Sequence, residues 1–245
     1  MLPSDLDLPR MIALVLIFVL WASYGPLLNT LGRGTLNAQL HVVRMRWMRM
    51  LLNSHRENRV FDAILLGHIS NSMSFFGSAT LIVLAGLLGT LTSINRVHAA
   101  LMEMQFFPPT SLSLFTTYFV VLTIIVAWSF FSFTYALRKL AYSLAMMGGL
   151  NESKTQTRYC TDMVAQTAVV LTEAVKSLNT GIRGFYFAVA ALFLFAGPYI
   201  SMIATLAVAA LEFYRQGLST ESLAIERYVN AMNALETEAE HKSTK

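Results

Sequence analysis

Three stretches of this chain, residues 69–94, 111–137 and 184–211, contain no Asp, Glu, Lys or Arg. Each exceeds the roughly 20 apolar residues that a helix rising about 1.5 Å per residue needs to cross a bilayer core. Over the 245 residues 55% are hydrophobic and 13% charged, against about 25% charged in an ordinary soluble domain, so a soluble globule is largely excluded. The expected class is all-α: a polytopic membrane helix bundle with four transmembrane helices at about residues 11–31, 64–93, 112–137 and 184–213. The first run follows Asp5, Asp7 and a single Arg10. It lacks the basic n-region and small-residue cleavage site of a signal peptide, so it is expected to be retained.

The net charge of +4 points to topology rather than to nucleic acid, because no aromatic nucleic-acid motif surrounds the basic residues. Of the 18 basic residues, six (Arg33, Arg44, Arg46, Arg49, Arg56 and Arg59) lie between the first two spans. Another six (Arg138, Lys139, Lys154, Arg158, Lys176 and Arg183) lie between the last two. The excess of basic residues in cytoplasmic loops places both connections in the cytoplasm, and with four spans both termini are then expected outside.

Both connections carry helical patterns. Leu36, Leu40, Val43, Trp47, Met50 and Leu51 share one face flanked by arginines, which predicts an amphipathic helix lying along the interface, with a helix packed on the protein as the alternative. The third span continues through Arg138, Lys139 and Tyr142 until Gly148 and Gly149 end it. Ser153 and Gln156 then form a capping box, and Val164, Ala168, Leu171, Val175, Leu178 and Ile182 repeat at helical spacing. These two helices are expected to form a cytoplasmic hairpin. Beyond Gly217, the stripe Ile225, Tyr228, Val229, Met232 and Leu235 predicts an outer C-terminal helix. The expected division is therefore a transmembrane domain with helical extensions over residues 1–217 and an extracytoplasmic helix and tail over 218–245.

The second span is the most polar. At 100° per residue His68, Asn71, Ser74 and Ser78 fall within about one third of its circumference. Hydrocarbon offers such groups no hydrogen bonds, so this face must meet another helix or a hydrated pathway. Asp62, at the cytoplasmic mouth of the same helix, is expected to complement the helix dipole or to pair with Arg59 or Arg183. A titrating Asp62 and His68 pair is the sharper alternative. A single His68 is too few to hold a haem within one subunit, and a bonded core histidine is the simpler reading.

In the third span Thr116, Thr117, Thr123 and Thr134 are expected to bond their own backbone, and Trp128 and Tyr135 to pack or anchor at the interface. Gly181 and Gly184 allow either close helix approach or a hinge, and Gly197-Pro198 predicts a mid-span kink. Cys160 is the one cysteine, which leaves no disulfide or thiolate cluster within a chain. No nucleophile, phosphate-loop or metal-ligand motif occurs. An enzyme is therefore not expected, nor a metal or a cofactor.

The segments Arg59-Val-Phe-Asp62, Asn71-Ser-Met-Ser-Phe-Phe-Gly-Ser-Ala-Thr80 and Asn179-Thr-Gly-Ile-Arg-Gly-Phe-Tyr-Phe-Ala-Val-Ala190, followed by Gly197-Pro198, resemble the family grouped as domain of unknown function 599, found in proteobacteria and plants. The resemblance covers about residues 10–215. It implies four spanning helices and a polytopic protein of a bacterial inner membrane, with no settled activity to transfer. Phe185-Tyr186-Phe187 stands where the family tends to have Tyr-Tyr-Phe, and Leu192 and Phe193 stand where a further aromatic is expected soon after Phe187.

Two functions remain open from the residues. One is a homo-oligomeric ion channel or channel-like protein whose pathway is lined by the second span. The other is a non-conducting assembly or accessory subunit of a larger membrane complex. Membrane lipids and further copies of the chain are the expected partners in the first, and self-association is favoured because closed symmetric homo-oligomers are common.

Overall fold

The computed structural model describes residues 3, 5–30, 36–53, 58–104, 107–150, 158–217 and 219–243, and their side chains except at 25–30, 52–53, 58–59, 158, 217, 236 and 239–243. Among these residues every regular element is a helix: α1 (Leu8–Thr30), α2 (Leu36–Asn53), α3 (Asn58–Leu91), α4 (Ile94–Glu103), α5 (Leu112–Gly149), α6 (Arg158–Leu192), α7 (Pro198–Gly217) and α8 (Thr220–Ser243). By length and composition, α3 from Val60 and the whole of α5 are apolar enough to cross a membrane, and α1 adds a shorter apolar stretch, Leu8–Tyr24. The expected capping box at Ser153 and Gln156, and Arg33, Arg56 and Lys154, lie outside the described residues.

The chain forms two compact units. The first contains residues 1–25, 71–136 and 177–210. Its core is built on α5, whose Leu114, Tyr118, Leu122, Ile125 and Val126 recur every three or four residues and meet Ala13 and Ile17 of α1 and Phe187, Ala188 and Ala191 of α6. Leu84 and Leu87 of α3 and Met202 and Val208 of α7 pack against this centre.

The threonine hydroxyls of α5, and that of Ser129, do not disturb its apolar surroundings. Thr116, Thr117, Thr123, Ser129 and Thr134 each donate to the carbonyl four residues back, so their polar groups are satisfied within the helix. At the start of α5, the Asp5 carboxylate accepts hydrogen bonds from the backbone N–H and the hydroxyl of Ser111. The Ser111 hydroxyl in turn accepts from the N–H of Leu114, which satisfies a helix-end donor. Arg10 completes the clasp with an ion pair to Asp5 at 3.3 Å.

The expected fourth span is two helices. α6 ends at Leu192, and the N–H groups of residues 193–197 each bond three residues back, a tightened turn. Gly197 adopts φ +125°, in the region that favours glycine, and Pro198 then opens α7 with the ring geometry suited to a first turn. Gly197-Pro198 is thus a break between helices rather than a kink within one. The side chain of Phe195 in this turn lies 5.1 to 5.8 Å from the rings of Phe115, Tyr118 and Phe119. The turn therefore sits at the same end of the unit as the start of α5.

The second unit contains residues 26–70, 137–176 and 211–245. Here α8 packs on α2, and Arg46 of α2 donates to the carbonyl of Met232 at 3.5 Å. On another side of α2, His41 Nδ1 lies 2.9 Å and Arg44 3.3 Å from the hydroxyl of Thr172 on α6. Burial lowers the Arg44 pKa from its ordinary value. These contacts are those of the alternative weighed for α2, a helix packed on the protein. The tail helix predicted beyond Gly217 is thus present as α8 and rests on α2.

Candidate functional site

α3 presents two unlike faces. Leu66, Met73, Gly77 and Thr80 are buried, and Phe76, Leu84 and Leu87 are half-buried. At 100° per residue these positions cluster along one side. On the other side His68, Asn71, Ser74 and Ser78 are all exposed, so the polar stripe read from the sequence exists on the exposed side of the helix. Apolar side chains flank it, with Phe75 67% and Ile82 73% exposed. The same face carries small residues: a Cβ added at Gly67, Gly86 or Gly89 would meet nothing within 4 Å.

The glycines of α6 behave in the opposite way. A Cβ at Gly184 would come within 2.1 Å of the Ser129 hydroxyl, and one at Gly181 within 2.6 Å of the Phe133 ring. α6 runs through both without interruption, so of the two roles open in the sequence the structure uses close approach. Since Gly181 faces Phe133 and Gly184 faces Ser129, α5 and α6 run antiparallel, as the expected hairpin requires. In the second unit Lys139 and Glu173, 3.7 Å apart, continue the pairing.

Asp62 and Arg183 each meet an aromatic side chain. The Asp62 Oδ1 accepts a 2.6 Å hydrogen bond from the indole N–H of Trp47 on α2. The Arg183 guanidinium carbon lies 4.7 Å from the ring centre of Tyr24 on α1, a cation–π distance. The Arg59 side chain lies outside the described residues. Sequence periodicity counted Trp47 among apolar stripe residues and so missed its polar edge. The signal that could have found it is that a partly buried indole N–H seeks an acceptor, and Asp62 is the first acidic residue beyond Glu57.

Asp62 borders a cavity of about 430 Å³ lined by residues from the end of α2, the first turns of α3 and the end of α5. A shallower groove of about 290 Å³ runs where α2 and α8 meet. The described residues contain no cluster of three potential metal ligands. His98 stands on the separate helix α4. Its Nε2 lies 2.8 Å from the Thr110 carbonyl.

A family described as "Protein of unknown function, DUF599" matches residues 12–220. Comparison with curated proteins and with solved structures finds no match.

Proposed function

The chain belongs to DUF599, a family of proteins of unknown function, and from that premise we propose a non-catalytic integral membrane protein that assembles with copies of itself through the polar face of α3. The observation that carries this reading is the exposure of His68, Asn71, Ser74 and Ser78 on a helix apolar enough to span a bilayer. In hydrocarbon, amides and hydroxyls left facing lipid are costly. The opposite face of α3 is already occupied by the chain's own core.

A second copy fits the vacancy chemically. Amide and hydroxyl groups each both donate and accept, so Asn71, Ser74 and Ser78 are complementary to themselves under a symmetry axis. Gly86 and Gly89 leave room for close backbone approach, the usual setting of interhelical contacts in membranes. The test is the mass of the detergent-purified protein. An oligomer that falls to a monomer in Asn71→Leu with Ser74→Leu supports the reading; a monomeric native protein, or an oligomer indifferent to both changes, removes it.

A ring of copies with these stripes turned inward would be a channel, since α3 would then line a shared pathway. Flux into liposomes that falls on changing His68 and Asn71 to Leu would establish conduction. An oligomer without flux would leave the non-conducting assembly role, in which the same face docks a larger complex.

For topology, five crossings replace four: α1, α3, α5, α6 and α7, with the N-terminus outside and α8 in the cytoplasm of an inner-membrane protein. Two observations support this. α8 rests on α2, within the first basic connection, and with the tail inside, sixteen of the 18 basic residues share the cytoplasmic side, leaving Arg10 and Arg96 outside. In a Cys160→Ser background, a cysteine at Ser243 should react with an impermeant thiol reagent only after the cells are opened. Labelling in intact cells would overturn this topology.

A further inference from the structure

We propose that the cavity beside Asp62 is a binding site for an alkyl ammonium amphiphile, whose charged nitrogen meets the Asp62 carboxylate while its apolar body lies along Leu66, Leu144, Met147 and Leu150. This site is separate from the α3 stripe and does not depend on self-association.

The cavity, about 430 Å³, falls in the usual size range of small-molecule sites. Its described lining is almost wholly apolar, and Asp62 is the single ionisable group among those residues. Leu51, Leu66 and Leu150 are themselves buried, so the wall belongs to the packed structure rather than to a loose surface. Gly67 and Gly148 leave the space open, since a Cβ at either would meet nothing within 4 Å.

The chemistry of the ligand follows from Asp62. An ionised carboxylate offers about four lone-pair sites, and Trp47 occupies one of them through Oδ1. The indole fixes the carboxylate without neutralising it, because it donates a hydrogen bond and carries no charge. No Lys, Arg or His is among the described residues that line the cavity. An anionic head would be repelled and a neutral one would leave the charge unanswered, whereas an ammonium group supplies both charge and donors. The Ser70 hydroxyl on the same wall can accept one further ammonium proton. The shared chemistry is an ammonium on an alkyl chain, and it has two sources: an aminophospholipid of the surrounding membrane or a free hydrophobic amine.

The full-length protein in maltoside detergent, titrated with dodecylammonium and followed by thermal melting, tests the site. Dodecylammonium should raise the melting temperature saturably, and dodecyl sulfate and dodecanol at equal concentration should not match it. Asp62→Asn should weaken the response roughly tenfold or more, the scale of removing one partner from a partly buried charge pair. Gly67→Leu, which fills the cavity without touching the charge, should abolish it. Equal responses to all three amphiphiles, or a native response in both variants, would overturn the proposal. Because Asp62→Asn also alters the Trp47 bond, the unliganded melting temperature of each variant identifies any that fails to fold, and Gly67→Leu then decides the question alone. In nanodiscs, displacement of dodecylammonium by phosphatidylethanolamine and not by phosphatidylglycerol identifies the lipid as the source. Persistence of saturable dodecylammonium binding in both identifies the free amine.

Discussion

α3 and α5 are both long and apolar, yet in their most apolar windows 6% of α3 is buried against 44% of α5. Both also carry polar side chains. On α5 the threonines, Ser129 and Ser132 bond to their own helix, and Ser129 is fully buried beneath Gly184. On α3, the Asn71 amide sits exposed with Ser74 and Ser78. Hydropathy alone therefore does not separate a helix that organises a core from one that offers a surface. The type of polar group and the side that is covered do.

The largest effect that sharpens this contrast is expected at Gly184. Gly184→Val should destabilise the protein by about 3 kcal/mol or more, because the overpacked contact has only the buried Ser129 to displace. The same change at Gly86 should leave the folding of the single chain within about 0.5 kcal/mol, as for a position open in one chain, and act instead on the association proposed for this face. Melting or denaturant titration in detergent compares them, and equal losses would erase the distinction between the two helices.

Next in size is Asn71→Leu. It should weaken subunit association by about 1–2 kcal/mol per interface, the range found for polar contacts between spanning helices, while leaving the fold of the single chain intact. Dilution-dependent mass measurement reads the first effect and melting the second. A loss of folding without a change in association would show that α3 contributes to the core after all.

A smaller loss, about 1 kcal/mol, is expected from Asp5→Ala, the usual cost of removing a helix-capping side chain. The hydrogen bond from Ser111 is the main influence holding the Asp5 carboxyl below its ordinary pKa, with backbone bonds and the Arg10 charge acting in the same direction against a desolvation cost. A carboxyl depressed on folding contributes stability that is complete above its unfolded value and is lost as pH falls through the folded one. Native protein should therefore lose stability to acid that Asp5→Asn has already lost, so their melting temperatures should converge at low pH. Divergence there would mean that the clasp does not act through the Asp5 charge.

The smallest effect is expected at Thr123→Val, which removes a hydroxyl bonded only to the carbonyl of Phe119. It should change stability by less than about 0.5 kcal/mol. A large loss would reveal a second partner for this hydroxyl and narrow the difference between α5 and α3.

Much of this architecture is legible in order along the chain. Val164, Ala168 and Leu171 are buried as their spacing predicts. Farther along, the packed line passes to Ala174, Gly181 and Gly184, while Val175, Leu178 and Ile182 are half-buried. Small residues rather than the largest apolar ones mark where α6 approaches α5 most closely. The threonines of α5 and the stripe of α3 were equally readable, because each depends on residues three or four apart in one helix.

Sequence by itself determined the helical class, the apolar lengths, the polar side of α3 and the uneven distribution of basic residues, all properties of local order. Tertiary structure alone decided that Gly197 and Pro198 divide two helices, that α8 rests on α2, that Trp47 holds Asp62, and which side of α3 its own chain leaves uncovered. Those outcomes depend on groups distant along the chain. Their pairing follows from shape and from the satisfaction of buried polar atoms, which no periodicity within a single segment records.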